Sequence, residues 1–486
     1  MKHGIFLLIA FGLLINSGCR KIETDGEKEI IIITQPGTGP SGQTITLTGR
    51  INSDTTLRKA NNYILKGLVY IVGNHTLNIE AGTTIKGSFS GTDVAALIIT
   101  RGSKINAIGT PTEPIVFTSA APSPTSGDWG GIIICGKAGV NTSFNGSAGL
   151  YQVEGGVDNA NGDGLAGSGD AVVPTPVDND NSGILSYVRI EYAGYAFQPD
   201  KEVNSLTMAA VGSGTTIDHI QVIYAKDDAY EWFGGSVNCK YLIAYKTQDD
   251  DFDTDNGYSG KVQFGLVIRD SLIADISTSE AFESDNNSSG TVVTPKTSAV
   301  FCNITAIGPR ATLNNVGNTL FRAGAQIRRN SSISIYNPII MGWPQAILID
   351  ASSGSPTDLN INDSTLRIRN TTLAGNTVNI KYTVSASAPT GASDASILSW
   401  FTNAYYNNDI VTNISDAKLI QPLNYNAPDP TPFAGSNGNQ KILTGASFTD
   451  PKLAGPFFTT VAFRGAIAPA GPEATWWKGW TRFNGL

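Results

Sequence analysis

The chain has 486 residues, of which 15% are charged, and it carries a formal net charge of −8. A negative net charge disfavours nucleic acid as a partner, because nucleic-acid binding depends on neutralising phosphates. Only three histidines are present, so a histidine-based zinc site has little material.

The first 18 residues have the basic start and the short apolar run of a secretory signal peptide. Ser17 and Gly18 precede Cys19 as in a lipoprotein processing site, so we expect the Cys19 thiol to receive a lipid. Secretion without a lipid, with Cys19 as an incidental residue, is the alternative. Residues 19–44 are then the lipidated N-terminus and a flexible stem rich in Gly, Pro and Thr.

Four acidic residues follow closely on the cysteine: Glu23, Asp25, Glu27 and Glu29. Such a stretch resembles the surface-export signal of some Gram-negative lipoproteins, although it also suits a solvated tether. The resemblance implies an outer-membrane protein that is anchored in the membrane by its lipid and faces the cell exterior. An outer-membrane transporter is a candidate partner at that location.

Residues 45–385 repeat short apolar strands separated by turns rich in Gly, Asn, Asp, Ser and Thr. The clearest copies are residues 185–192, 217–224, 237–244, 262–269, 300–307, 333–341 and 366–373. A repeat of roughly 20 to 38 residues is too small to bury its own apolar face, so successive repeats must stack. The sequence therefore predicts an all-β fold, a right-handed parallel β-helix.

Two regions depart from this rhythm. Residues 138–183, rich in Gly, Asn and Asp, predict a long loop insertion on one face of the solenoid. Residues 386–486 repeat less regularly and include the aromatic segment 476–481. We expect them to form the last coils and a C-terminal cap, because an open solenoid end exposes apolar core and unpaired strand edges.

Three cysteines remain after Cys19, an odd number that argues against a disulfide framework. In the repeat alignment Cys239 and Cys302 occupy the same strand position two coils apart, with Phe264 between them. That separation, roughly 9.6 Å, is too great for a disulfide. We therefore expect both residues, together with Cys135, to be free and to lie in the core.

One loop sequence occurs three times after successive strands, in residues 229–233 (AYEWF), 251–256 (DFDTDN) and 281–286 (AFESDN). A fainter copy is residues 196–200 (AFQPD). Stacking predicts one column of aromatics, a second of Gln198, Glu231, Asp253 and Glu283, and a third of Asp200, Asp255 and Asp285. Carboxylates on coils about 4.8 Å apart repel by about 3 to 4 kcal/mol at a surface-like dielectric. Such columns need a cation, raised pKa values or wide splaying.

Calcium is our prediction for this acidic face, because Ca²⁺ prefers dense, hard oxygen ligands. The candidate metal ligands are Asp228, Glu231, Asp249, Asp250, Asp251, Asp253, Asp255, Glu283 and Asp285. The segment is not an EF-hand, since Gly257 falls one place late and Val262 stands where the twelfth-position Glu belongs. Surface acids that are solvated and hydrogen-bonded to loop amides are the alternative.

The aromatic residues of the same loops divide into two groups. Those in matching positions are expected to stack inside the core, and they are Phe197, Tyr230, Phe252 and Phe282. Trp232 and Tyr258 break that column and are the candidate ligand-binding residues, since their rings suit the apolar faces of a sugar.

Several segments resemble an uncharacterised group of Gram-negative surface lipoproteins that are predicted to be right-handed parallel β-helices. The most specific are residues 127–131 (GDWGG) and 249–260 (DDDFDTDNGYSG), and the closing residues 477–480 (WKGW) also share the resemblance. The resemblance spans most of residues 50–486 and implies a β-helix at the outer membrane. It implies no activity and assigns no catalytic residues.

The sequence is compatible with three functions. The first is binding of a ligand, with a glycan favoured, through a calcium-associated acidic and aromatic face. The second is a calcium-dependent polysaccharide lyase or another glycan-cleaving enzyme, with Lys226 or Lys246 as the base of the lyase. The third is structural display, as in an adhesin.

Overall fold

The structure, a computed structural model, describes residues 42–197, 202–310 and 317–483, together with the backbone of the strand Ile33–Gln35. The predicted signal peptide and Cys19 lie outside the described residues, as do Gln198 and Asp200. Within the part of the chain that is described, no helix is both long and apolar enough to span a membrane.

Strands follow one another through the described part of the chain as far as Pro432, beginning with the coils that precede the insertion. These are β1 (Ile33–Gln35), β2 (Thr44–Ile51), β3 (Thr55–Leu57), β4 (Asn62–Ile71), β5 (Thr76–Ile79), β6 (Thr84–Gly87), β7 (Ala96–Ile99), β8 (Lys104–Ile108), β9 (Ile115–Ser119) and β10 (Ile132–Cys135). The insertion contributes four short strands, β11 (Ser143–Phe144), β12 (Ser147–Ala148), β13 (Leu150–Gln152) and β14 (Leu165–Gly167).

Longer strands form the central coils. These are β15 (Gly183–Glu191), β16 (Leu206–Ala209), β17 (Thr216–Ile223), β18 (Tyr230–Phe233), β19 (Asn238–Tyr245), β20 (Phe252–Asp255), β21 (Lys261–Ile268), β22 (Phe282–Ser284), β23 (Val300–Ile307) and β24 (Ala323–Ile327).

The last coils contain shorter strands and the α-helices. The strands are β25 (Ser334–Tyr336), β26 (Ile339–Met341), β27 (Gln345–Asp350), β28 (Arg367–Arg369), β29 (Thr372–Ala374), β30 (Val378–Thr383), β31 (Asp409–Val411), β32 (Leu419–Gln421) and β33 (Asp429–Pro432). The helices are α1 (Leu359–Asn362), α2 (Asp394–Phe401) and α3 (Gln440–Thr444).

Successive coils pair in parallel and build three faces of one continuous sheet. Face A stacks β7, β10, β16, β18, β20, β22, β24, β27 and β30. Face B stacks β3, β5 and β8, the first halves of β15, β17, β19, β21 and β23, and then β25 and β28. Face C stacks β6 and β9, the second halves of the same five strands, and then β26, β29 and β31. The predicted parallel β-helix is confirmed.

The corner between faces B and C is made by one residue per coil in the left-handed region of backbone space. In chain order these residues are Tyr187, His219, Tyr241, Phe264, Asn303, Asn337 and Asn370. Because the same corner recurs on each coil, their side chains stack: the rings of His219 and Tyr241 are 4.3 Å apart and those of Tyr241 and Phe264 are 5.1 Å apart. The corner thus bends each long strand without breaking its register with the next coil.

The predicted strands agree with the observed ones to within one or two residues. Residues 300–307 coincide with β23, and residues 333–341 form β25 and β26, separated by the corner residue Asn337. The predicted register was wrong around the cysteines, because Cys239 lies opposite Val262 and Cys302 lies opposite Gln263, so neither lies opposite Phe264. Both cysteines are nevertheless free and buried, as is Cys135.

The insertion of residues 138–183 covers the outer side of face A on the early coils. Val153, Val157 and Ala166 pack on Ile98 and Ile133, which point outward from the sheet. The hydroxyl of Tyr70 also donates a hydrogen bond to the Val157 carbonyl oxygen at 2.7 Å. The outer side of the following coils of face A, from β18 onward, carries the acidic loops.

The aromatic tail does not cover the end of the solenoid, and that part of our prediction is wrong. The Trp480 ring lies edge-on to Tyr187 at 5.6 Å and to His219 at 5.9 Å, on the central coils. Gln221 and Arg482 exchange two hydrogen bonds of 2.9 Å each. The tail therefore packs against the stacked aromatic side chains of the corner between faces B and C.

A different element lies at the C-terminal end of the core. Helix α2 begins at a capping box on Ser393 and packs Ile397 and Phe401 into the main hydrophobic core beside β30. Its placement protects the apolar interior where the parallel stack ends.

Candidate functional site: an acidic cleft

Two of the three predicted columns are present on face A among the described residues. Glu231 lies opposite Asp253, and Asp253 lies opposite Glu283, on three successive strands. Tyr230, Phe252 and Phe282 form the neighbouring column, and all three are fully buried, as expected for a core stack. Since side chains alternate along a strand, the acids beside these aromatics point outward.

A second acidic column precedes the aromatics by two residues and contains Asp228, Asp250 and Glu280. The amide N–H of Asp250 donates to Asp228 Oδ1 at 2.9 Å, and that of Glu280 donates to Asp250 Oδ1 at 2.6 Å. Asn204 starts the ladder by accepting from the amide of Asp228 at 3.2 Å. One oxygen each of Asp228 and Asp250 is therefore fixed by the next coil. In Glu280 the Oε1 atom instead accepts from the Thr278 hydroxyl of the same loop at 3.2 Å.

A cleft that encloses about 540 Å³ of space open to solvent is lined by the first column and by Asp228 and Asp250 of the second. Nine carboxylates and a single basic side chain, Arg328, are among the described residues of its lining. The full lining is Glu154, Glu202, Asn204, Asp227, Asp228, Glu231, Asp249, Asp250, Asp253, Ser277, Thr278, Glu283 and Arg328.

Carboxylate oxygens converge at three points in or beside this cleft. Each group can place one oxygen per residue within 4.8 Å of the others: Asp227, Asp228 and Asp249; Asp228, Glu231 and Asp253; and Asp250, Glu280 and Glu283. Asp228 belongs to two of the groups, so the first two converge on neighbouring points. Oxygen donors in this density fit a hard cation such as Ca²⁺.

Burial and mutual repulsion raise the pKa values of these acids. Burial is the larger cause, and the negative charges of neighbouring carboxylates add to it, so the pKa values of Asp228, Glu231 and Asp250 lie well above the ordinary range. The pKa values of Asp249 and Asp253 rise to about 7. Burial and repulsion thus favour the protonated form of these acids, whereas a bound cation favours the ionised form.

The lower end of the column is neutralised by the protein itself. Arg328 forms ion pairs with Glu283 and, at 3.0 Å, with Asp285, and Arg329 adds a second partner for Asp285 at 3.0 Å. Of the predicted metal ligands, Asp255 and Asp285 do not line the cleft and belong to none of the three oxygen groups.

Asp251 was predicted to be a metal ligand, and the structure contradicts this. Its carboxylate is fully buried on the inner side of the coil and forms an ion pair with Arg269 at 3.3 Å. Asp251 precedes β20 and is not part of its alternating pattern, and the matching positions of the neighbouring coils hold the buried Ala229 and Ala281. The two alanines in the matching positions were a usable sign of an interior site.

Trp232 and Tyr258 were predicted to bind the ligand, and this prediction is also wrong. Both side chains are fully buried, their rings stack at 5.2 Å, and the Tyr258 hydroxyl donates to the Val237 carbonyl oxygen at 2.9 Å. Trp232 points inward because it lies two residues after Tyr230 on the same strand, and side chains alternate with a period of two.

The two lysines that were candidates for a lyase base do not line the cleft. Lys246 is buried and pairs with Asp270 at 3.3 Å, with a hydrogen bond to Asn426 at 2.9 Å. Lys226 is exposed, and its aliphatic stem passes over Gly127.

Sequence reasoning missed several residues of the site, among them Ser277 and Thr278 of the loop before β22. Glu280 could have been predicted from the sequence, because it lies two residues before the aromatic, the position that Asp228 and Asp250 occupy in the other copies. Glu154, Glu202, Asn204 and Arg328 come from other loops and the insertion, so no local spacing connects them with the repeats.

Comparison with known proteins bears on the fold around this cleft. No curated protein matches the sequence. The family model described as a pectate-lyase-like β-helix domain matches residues 49–415, which is more than half of the chain and includes every described residue that lines the cleft. The chain therefore belongs to the family of pectate-lyase-like β-helix proteins.

Proposed function

We propose that the acidic cleft binds Ca²⁺ and that the bound cation recruits a glycan rich in carboxylates or hydroxyls. The convergence of carboxylate oxygens in three groups is the observation that carries the proposal. Membership in the pectate-lyase-like family is compatible with a protein that binds or cleaves glycans.

The chemistry of the lining favours calcium over other metals. The described lining residues offer carboxylate, amide and hydroxyl oxygens, and they contribute no imidazole or thiol. Zinc and copper prefer nitrogen or sulfur ligands, whereas Ca²⁺ accepts six to eight oxygens in flexible geometry. A group of three carboxylates leaves several of those positions for water or for ligand oxygens.

The ligand follows from what remains exposed around the cation. With Trp232 and Tyr258 buried, stacking on aromatic rings does not supply the affinity. The exposed part of Arg328 and the open coordination positions of the cation both attract ligand oxygens. An acidic glycan, whose carboxylates bridge to the cation, fits this arrangement best.

Cleavage of the same glycan is the second candidate function. Asp249 and Asp253 both line the cleft, and with pKa values of about 7 either can give or accept a proton near neutral pH. A lyase that uses Lys226 or Lys246 has no support, because neither lines the cleft. Binding without cleavage remains the simpler proposal, and a display or adhesin role is what remains if both fail.

The location is also part of the proposal. A lipid on Cys19 would anchor the protein in the outer membrane, with the stem carrying the cleft to the cell exterior. Labelling of cells with a fatty-acid analogue should mark the wild-type protein and leave Cys19→Ala unmarked. A transporter partner should co-purify with the cross-linked wild-type protein from outer membranes; its absence would argue for independent action.

The first experiment is a calcium titration of the protein without its first 40 residues, after treatment with a chelator. We expect calorimetry to show saturable binding and the melting temperature to rise with calcium. Glu80→Gln with Glu113→Gln is the matched control, since it removes two exposed carboxylates elsewhere on the coils. No heat and no shift in melting temperature would overturn the metal site.

A glycan screen separates the remaining functions. We expect acidic polysaccharides to bind in the presence of calcium and to be released by a chelator, with neutral polysaccharides weaker throughout. Shortened or unsaturated products would establish cleavage, and calcium binding without any glycan binding would leave the cation a structural role.

A further inference from the structure

Arg269 is a charged side chain in the interior of the solenoid. It is 0% exposed, and its guanidinium lies 5.3 Å from the centre of the Phe321 ring and 5.9 Å from that of Trp343. A buried charge of this kind persists only when it is paired and its donors are satisfied.

The partners of Arg269 come from two successive coils of the β-helix. The guanidinium pairs with Asp251 at 3.3 Å and donates to the carbonyl oxygens of Thr247 at 2.6 Å, of Glu280 at 3.1 Å and of Asp249. Thr247, Asp249 and Asp251 precede β20, and Glu280 precedes β22. The Arg269 side chain therefore connects the two loops that precede β20 and β22 through hydrogen bonds in the interior of the solenoid.

The same two loops carry the cleft on their outer side. Asp249 lines the cleft, Glu280 belongs to the third oxygen group, and Asp250 lies between two residues that Arg269 holds. The relative position of these three carboxylates is thus set by backbone groups that bind one guanidinium.

We propose that Arg269 and Asp251 form a positioning pair that sets the spacing of the carboxylates in the cation cleft. The inference rests on the proposed function, because its purpose is the geometry of the cation site. Stability alone does not require the pair, since buried ion pairs can often be replaced by apolar residues without loss. The hydrogen bonds to three carbonyl oxygens are what an apolar replacement lacks.

The main test is the double variant Arg269→Met with Asp251→Asn. It removes both charges together, so neither is left buried and unpaired. We expect its melting temperature in chelator to stay within a few degrees of the wild type and its calcium affinity to fall at least tenfold. Arg269→Lys keeps the charge but not the planar fork, so it should lose affinity to an intermediate degree.

Arg464 and Asp409 provide a matched control. Arg464 is also 0% exposed, pairs with Asp409 and donates to the carbonyl oxygens of Thr371 and Asn407, all of them away from the cleft. Arg464→Met with Asp409→Asn should change the melting temperature to a similar extent and leave the calcium affinity unchanged.

Hydrogen exchange of metal-free protein tests the positioning separately from the metal. The amides of residues 249–251 and 280 should exchange faster in the double variant than in the wild type, and those around residue 409 should not. Unchanged exchange at these amides, or calcium binding as tight as in the wild type, would overturn the proposal. If the wild type binds no calcium, the proposed function fails, whereas the exchange result still decides whether Arg269 orders the loops.

Discussion

The two ends of one carboxylate column are compensated in different ways. At the lower end Glu283 and Asp285 share Arg328, and Arg329 adds a further positive charge. At the upper end Glu231 accepts a hydrogen bond from the Asn204 amide and lies among other acids of the cleft. The backbone register is the same at both ends, so the fold does not impose the difference.

The comparison shows that this chain neutralises stacked acids with arginine at the lower end of the cleft. At the upper end the same kind of stack depends on protons or on a cation from solution, because burial and neighbouring charges raise the pKa values there. This contrast supports the proposed calcium site, and the following predictions test it.

The largest effect is expected for Glu231→Gln with Asp253→Asn. The two changes remove ligand charges from the upper end, so calcium affinity should fall at least about 100-fold, which corresponds to about 2.7 kcal/mol. Calorimetry on the variant and on Glu80→Gln with Glu113→Gln measures the difference. Wild-type affinity in the cleft variant would show that the cation does not bind at the upper end.

The pH dependence of metal-free protein should reveal the uncompensated acids. The pKa values of Asp249 and Asp253 are about 7 in the folded state and 3.8 in the reference state. Their stabilising contribution is therefore complete below pH 3.8 and is lost as the pH rises to about 7, because only the unfolded chain releases its protons in that interval. Each unit of pKa shift corresponds to about 1.4 kcal/mol.

Melting curves in chelator between pH 5 and pH 8 check this sign. The melting temperature should fall as the pH rises, and saturating calcium should remove much of the fall. If the metal-free protein becomes more stable over this interval, the negative charges of the cleft acids are already neutralised by other groups of the protein.

Arg328→Met converts the lower end into a copy of the upper end. Glu283 and Asp285 lose charged hydrogen bonds, so metal-free protein should lose about 2 kcal/mol of unfolding free energy at neutral pH. Calcium should restore part of that loss by replacing the guanidinium. Urea unfolding with and without calcium measures both numbers, and equal losses in the two conditions would show that no cation enters the lower end.

The smallest effect on binding is expected for Trp232→Phe. The ring is buried and stacks on Tyr258, so the change should lower the unfolding free energy by about 1 to 2 kcal/mol. Calcium and glycan affinities should match those of the wild type. A clear loss of glycan affinity at unchanged stability would contradict this prediction and would show that Trp232 takes part in glycan binding.

The fold and the acidic columns were predictable because both depend on repetition. Strands of one length that recur with the same apolar rhythm must stack, and stacking brings Glu231, Asp253 and Glu283 together. The alignment was less secure within a strand, where a shift of one residue reverses the face, as Cys302 shows.

Two kinds of error followed from reading the loops alone. Asp251 was assigned to the surface by residue type and Trp232 by its departure from the aromatic column, although their neighbours in the stack were buried. Arg328 and Glu154 reach the cleft from segments that have no copy of the loop motif. Whether Arg328 and Glu154 lie near the acidic loops depends on the three-dimensional path of the chain. The periodicity of the sequence does not predict that path for segments without a repeat.

The returning tail changes how the solenoid can come apart. In a stack where each coil touches only its neighbours, unfolding can begin at one end and proceed coil by coil. Here Arg482 is hydrogen-bonded to Gln221, although 260 positions separate them in the chain, and Thr459 is hydrogen-bonded to Gln263. These long-range hydrogen bonds connect the last residues to the central coils. The molecule should therefore unfold in one cooperative transition and not coil by coil from one end.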